Sequence, residues 1–93
     1  MGQNLNTIFC RNLLVETMKR AKQVCIEKGI DWKELKKHAW GYKYSWGDDA
    51  EFHINKNPNL PKGFYWHGNA SSVTEAKAEG WEAFLEEIEQ GRI

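Results

Sequence analysis

Three histidines, His38, His53 and His67, and a turn of acids, Asp48, Asp49 and Glu51, are the side chains of this 93-residue chain best suited to chemistry. His53 and His67 fall in two short runs that alternate apolar and polar residues. Two imidazoles on neighbouring strands with a carboxylate beside them form a zinc-type donor set. Neither a Cys-x-x-Cys nor a His-x-x-x-His spacing accompanies them, so the reading taken is surface histidines, with no metal and no cofactor. Clustered carboxylates can move protons or hold a hard cation, but turns take Asp for backbone reasons. No Gly-rich phosphate loop, nucleophile elbow or Cys–His pair in a plausible context appears. The expectation is a protein that is not an enzyme.

The aromatic signal is stronger. Five Trp and 13% aromatic residues exceed what a small core needs. Trp40, Tyr42, Tyr44 and Trp46 alternate with Gly41, Lys43 and Ser45, which puts four rings on one face of a strand. If that face meets the helices, the rings are core, and this is the reading taken. If it meets water, it is a stacking platform or a protein hot spot, because Trp and Tyr dominate both. With Phe52, Phe64, Trp66, Trp81 and Phe84 the rings number nine. That is crowded for this size, so at least two are expected at the surface.

Charge is balanced in total and polarised along the chain. Lys plus Arg and Asp plus Glu are 13 each, which argues against a nucleic-acid binder that works with its whole surface. Residues 1–47 hold nine basic residues against four acids, and residues 48–93 hold four against nine. Lys33, Lys36, Lys37, His38 and Lys43 form a basic run that could meet phosphate. Glu75, Glu79, Glu82, Glu86 and Glu89 form an acidic ridge that could engage a basic partner. For both, the reading taken is a solvated helix face.

These residues are positioned by five or six elements. Asn6 or Thr7 caps a helix reaching about Lys28, with an apolar stripe of Cys10, Leu14, Met18, Ala21, Val24 and Cys25. Val15 and Ile26 lie off the stripe and suggest a second, smaller contact. Gly29 and Ile30 suit a Schellman ending. On one helix the two cysteines stand 15 residues apart, about 22 Å. A disulfide needs about 7 Å or less, so both are expected reduced, in a cytoplasmic-type compartment. Asp31-x-x-Glu34 starts a short helix to His38. Strands follow from Ala39, from Glu51 to Ile54 and from Phe64 to His67, with a loop at 55–63. Ser72-x-x-Glu75 caps a last helix to about Gln90, whose inward face is Val73, Gly80, Trp81, Phe84, Leu85 and Ile88. Gly80 inside this helix costs about 1 kcal/mol against Ala, which close approach to a strand or a ring would explain. No run is long enough to span a membrane.

The order helix, short helix, three strands, helix predicts one α+β domain over residues 1–93. It would be a three-stranded antiparallel meander with the N-terminal and C-terminal helices on one face. The stretch Gly68-Asn69-Ala70-Ser71-Ser72 through Glu75-Ala76-Lys77 resembles the strand-to-helix junction of double-stranded-RNA-binding domains, as does the element order. That resemblance implies shared topology. Their basic cluster at this helix start is reduced here to Lys77, so RNA binding does not follow. Size, build and aromatic surplus resemble small phage or mobile-element accessory proteins, inhibitors included. The expected function is a non-enzymatic module that binds another protein, with homodimerisation an option. The alternative is nucleic-acid binding by segment 33–43 and its adjacent aromatics. By exclusion, the binding surface is placed on the outer sheet face and its adjoining loop: Lys43, Trp46, His53, Asn57, Tyr65 and His67.

Overall fold

The computed structural model describes residues 5–55 and 63–93. Helix α1 (Leu5–Lys28) is followed by a short α2 (Trp32–Lys37), strands β1 (Ala39–Lys43), β2 (Asp49–Ile54) and β3 (Phe64–Asn69), and helix α3 (Val73–Glu89). The strands form an antiparallel meander in the order β1-β2-β3. α3 lies across all three strands, and α1 packs chiefly along α3. The expected α+β architecture is the one observed.

Local signals explain most element ends. The Gly29 amide donates to the Ile26 carbonyl and the Ile30 amide to the Cys25 carbonyl. With Gly29 at φ +75°, this is the Schellman pattern expected there. Gly91, at φ +76°, closes α3 in the same way, with Arg92 donating to Glu87. The Asp31 carboxylate accepts from the amides of Lys33 and Glu34, and the Ser72 hydroxyl accepts from the Glu75 amide. Glu75 does not complete the box on Ser72. Its carboxylate takes the Ser71 amide at 2.7 Å and the Ser71 hydroxyl. α1 is already helical at Leu5, ahead of the cap expected at Asn6 or Thr7.

The core is built from Ala21 and Cys25 of α1, Leu35 of α2, Phe52 and Ile54 of β2, and Trp81, Phe84, Leu85 and Ile88 of α3. Trp81 packs its ring against Trp32, Phe52 and Phe84. Gly80 has the reason expected for it. A Cβ added there would stand 2.3 Å from Phe52 Cγ, so only glycine lets α3 come this close to β2. Val73, expected inward, is exposed at the first turn of α3.

The acidic ridge is not uniformly solvated. Glu82 Oε1 accepts a 2.8 Å hydrogen bond from the buried Thr17 hydroxyl and pairs with Arg20 at 3.1 Å, which ties α3 to α1. Glu86 and Glu89 are exposed as expected.

Candidate functional site on the outer sheet face

Register decides which side chains share the face away from the helices. Trp40 is opposite His53, Tyr42 opposite Glu51, and Gly41 opposite the buried Phe52. On the other side of β2, Tyr65 is opposite His53 and His67 opposite Glu51. Alternation therefore turns Trp40, Tyr42, Glu51, His53, Tyr65 and His67 outward together. The expectation that the aromatic phase of β1 meets the helices is overturned. Trp40, Tyr42, Trp46 and Tyr65 keep 42%, 49%, 64% and 56% of their surface exposed.

The physical reason lies under α3. The inward phase of β1 is Ala39, Gly41 and Lys43. A Cβ at Gly41 would already stand 3.0 Å from Lys77 Cγ. Indole or phenol rings have no room there, and the core takes its rings from β2, β3 and α3 instead. Lys43 belongs to the same inward phase, paired with Ala50. This corrects its expected place on the outer face: it sits at the sheet end, its Nζ donating to the Gly47 carbonyl at 3.0 Å.

The outer rings are organised by contacts with one another. Trp40 stacks on His53 with centroids 4.2 Å apart and planes 11° from parallel. His53 in turn meets Tyr65 at 4.7 Å. Beyond the regular strand, Tyr44 still donates its amide to Asp49. Its ring stacks on Trp46 at 4.6 Å and meets Tyr42 edge-on at 5.1 Å. His67 links the two groups, stacking on Tyr65 and meeting Tyr44 edge-on, each at 6.4 Å, so the rings run without a break from Trp40 to Trp46.

Two carboxylates are fixed within it. The Tyr44 hydroxyl donates to Glu51 Oε2 at 2.7 Å. This bond is the main reason the Glu51 carboxyl is held below its ordinary range, with the nearby imidazoles helping and burial opposing. The same bond, then burial and the Glu51 charge, push the Tyr44 phenol up to about 12. The Tyr65 phenol is also raised, by burial and by the charges of Glu51 and Asp49. His67 Nε2 lies 2.6 Å from Asp49 Oδ1. His53 Nε2 lies 3.2 Å from Glu51 Oε1. Among the described residues, the buried nitrogen has no other hydrogen-bond partner.

Of the residues expected to form the site, His53, Tyr65 and His67 are brought together on this face, and Trp46 continues it through Tyr44. Asn57 lies outside the described residues. Trp40 and Tyr42 were not assigned to the site from the sequence, although both lie in the most regular alternation of the chain. Among the described residues, no group of three or more His, Cys, Asp or Glu side chains could hold a metal ion.

Two other features flank the sheet. Lys37 of the basic run pairs with Glu34 at 2.9 Å, and Lys36 lies over the Trp32 ring, 5.5 Å from its centroid. A cavity of about 400 Å³ opens beside α3, lined by Arg20, Trp66, Glu79, Glu82, Glu86 and neighbours. Among the described residues, no helix is long and apolar enough to cross a membrane. No protein-family model, curated protein or solved structure matches the chain.

Proposed function

We propose that this chain is a small non-enzymatic binding module that docks on another protein through the outer face of its sheet. One observation supports this above the others: four large aromatic side chains stand exposed side by side on a face that no helix of the described chain covers. Contiguous apolar surface of this kind is uncommon on monomers and marks interaction sites. Trp and Tyr are the residues that dominate interface energetics. The rings are held by stacking and by Tyr44–Glu51, so little side-chain freedom is left to lose on binding. A module this small, acting through one prebuilt face, suits an accessory or inhibitor role of the phage or mobile-element type, carried out in the cytoplasm.

The experiment is retention of partner from an extract of the native host. Trp46→Ala and Tyr65→Ala should each weaken retention at least about fivefold, a hot-spot loss of more than about 1 kcal/mol. The charge reversal Glu86→Lys should leave it unchanged. Normal retention by both ring variants, with loss in Glu86→Lys, would move the interface to α3. If the retained species is a nucleic acid, and its binding collapses with salt as phosphate contacts do, the basic segment 33–43 is the binding element instead.

A further inference from the structure

We infer that the outer face selects a cationic partner surface, one that presents arginine side chains to the open rings. This inference rests on the docking reading above and names the chemistry of the partner. Its first support is the distribution of charge. The outward positions of the described strand residues carry Asp49 and Glu51 and no lysine or arginine. Lys43, the strand lysine of β1, belongs to the opposite phase and is tied to Gly47. At the Trp40 end, Lys37 lines the same pocket as Trp40 and is paired with Glu34.

The second support is that the carboxylates are fixed before any ligand arrives. Glu51 is anchored by Tyr44, and Asp49 is held beside His67. Both Tyr44 and Tyr65 resist ionisation partly because of these charges. Two carboxylates, each beside an imidazole, thus stand among the rings without any change in conformation.

The third support is the rings themselves. An aromatic face is electron-rich and attracts a cation placed over it, and Trp does so best. Trp40 has one ring face covered by His53 and still keeps 42% of its surface exposed, which leaves indole surface open to a ligand. A planar guanidinium can lie flat on such a ring and keep its N–H edge free for a carboxylate, which an ammonium cannot do. Rings flanked by fixed acids thus match arginine better than lysine, and either better than an acidic or neutral segment. The chain as a whole has zero formal net charge, so this preference would come from the face and not from a general field.

The test uses a capped hexa-arginine peptide, with hexa-lysine and hexa-glutamate as matched controls. Binding is followed by the indole N–H resonances of the five Trp in the full chain. These indoles report on separate places. Trp40 and Trp46 are on the outer face, Trp32 and Trp81 are packed together, and Trp66 lines the acidic cavity of α3. Hexa-arginine should shift Trp40 and Trp46 and leave Trp32 and Trp81 in place. Hexa-lysine should bind several-fold more weakly, and hexa-glutamate should not bind. Asp49→Asn and Trp40→Ala, each with an unchanged far-ultraviolet spectrum, should weaken hexa-arginine at least fivefold. Shifts centred on Trp66, equal shifts from hexa-glutamate, or no shift at all would overturn the inference. If any of these occurs while Trp46→Ala and Tyr65→Ala still weaken partner retention, the docking face stands and only the cation preference falls.

Discussion

Trp40 lies flat on His53, one strand away, with ring centroids 4.2 Å apart. That stack places the largest side chain of β1 on the side of the sheet away from α3. It separates the aromatic residues into two populations, one that holds the fold together and one that lies on its surface. Truncation should reveal the division. Trp81→Ala removes a ring packed against three others and should cost about 3–5 kcal/mol. Trp40→Ala loses one surface stack and should cost no more than about 1.5 kcal/mol. Urea denaturation of the two variants measures both.

Gly80→Ala sets two effects against each other. Alanine improves helix propensity by about 1 kcal/mol. Its methyl would also enter the space of Phe52, 2.3 Å from the ring. Overpacking of this kind costs about 1–3 kcal/mol, occasionally more. A net loss of stability is expected, read as a lower urea midpoint with an unchanged slope. A variant as stable as the parent would mean that α3 does not sit this close to β2.

The α1–α3 tie should make two acids of one ridge behave differently. Glu82→Ala strands the buried Thr17 hydroxyl and should cost about 1–3 kcal/mol. Glu86→Ala, at an exposed position, should stay within about 0.5 kcal/mol. Equal effects would show that the Thr17 bond contributes nothing.

Tyr44 offers a spectroscopic check on the outer face. Its phenol is pushed up to about 12 by the bond to Glu51. A group whose folded pKa lies above its unfolded value stabilises the fold fully below the unfolded value, near 10 for tyrosine. That contribution is lost as pH rises from about 10 towards 12. The Glu51 carboxyl is shifted the other way, so its contribution is present above the ordinary carboxylate range and lost as pH falls through its lowered value. Phenolate absorbance should show late-titrating tyrosines, and Tyr44→Phe should remove the one that ionises near 12.

The cysteines differ in exposure. Cys25 is fully buried and its thiol is raised to about 11, whereas Cys10 is only partly buried. Burial, then the charges of Glu75 and Glu79, also raises the Cys10 thiol. Both should label more slowly in the native protein than in denaturant, with Cys10 ahead of Cys25.

Much of this architecture could be read in the sequence because each local signal has a single physical meaning. Gly29-Ile30 can end a helix in one way, Ser72 and Asp31 cap the helices they precede, and Gly80 required a close neighbour. The side of the sheet taken by the β1 rings could not be read. Period-2 alternation defines two faces of a strand, and only the strands and helices around it decide which is buried. On β1 the apolar weight of Trp40 and Tyr42 pointed inward. The small residues Ala39 and Gly41, which let α3 approach, were the opposing signal. His53 and Tyr65 were placed on the outer face because β2 and β3 carry unambiguous inward residues, Phe52 and Ile54 among them. Trp40 and Tyr42 join the site only through the register that pairs them with His53 and Glu51.

The most direct measurement is site-specific photo-crosslinking in native host cells. A benzophenone side chain would replace Tyr42 or Tyr65 on the outer face, or Glu86 on α3. Crosslinked adducts to a discrete protein should form from positions 42 and 65 and not from position 86. Adducts from position 86 alone, with positions 42 and 65 silent, would contradict the assignment of the outer sheet face as the docking surface.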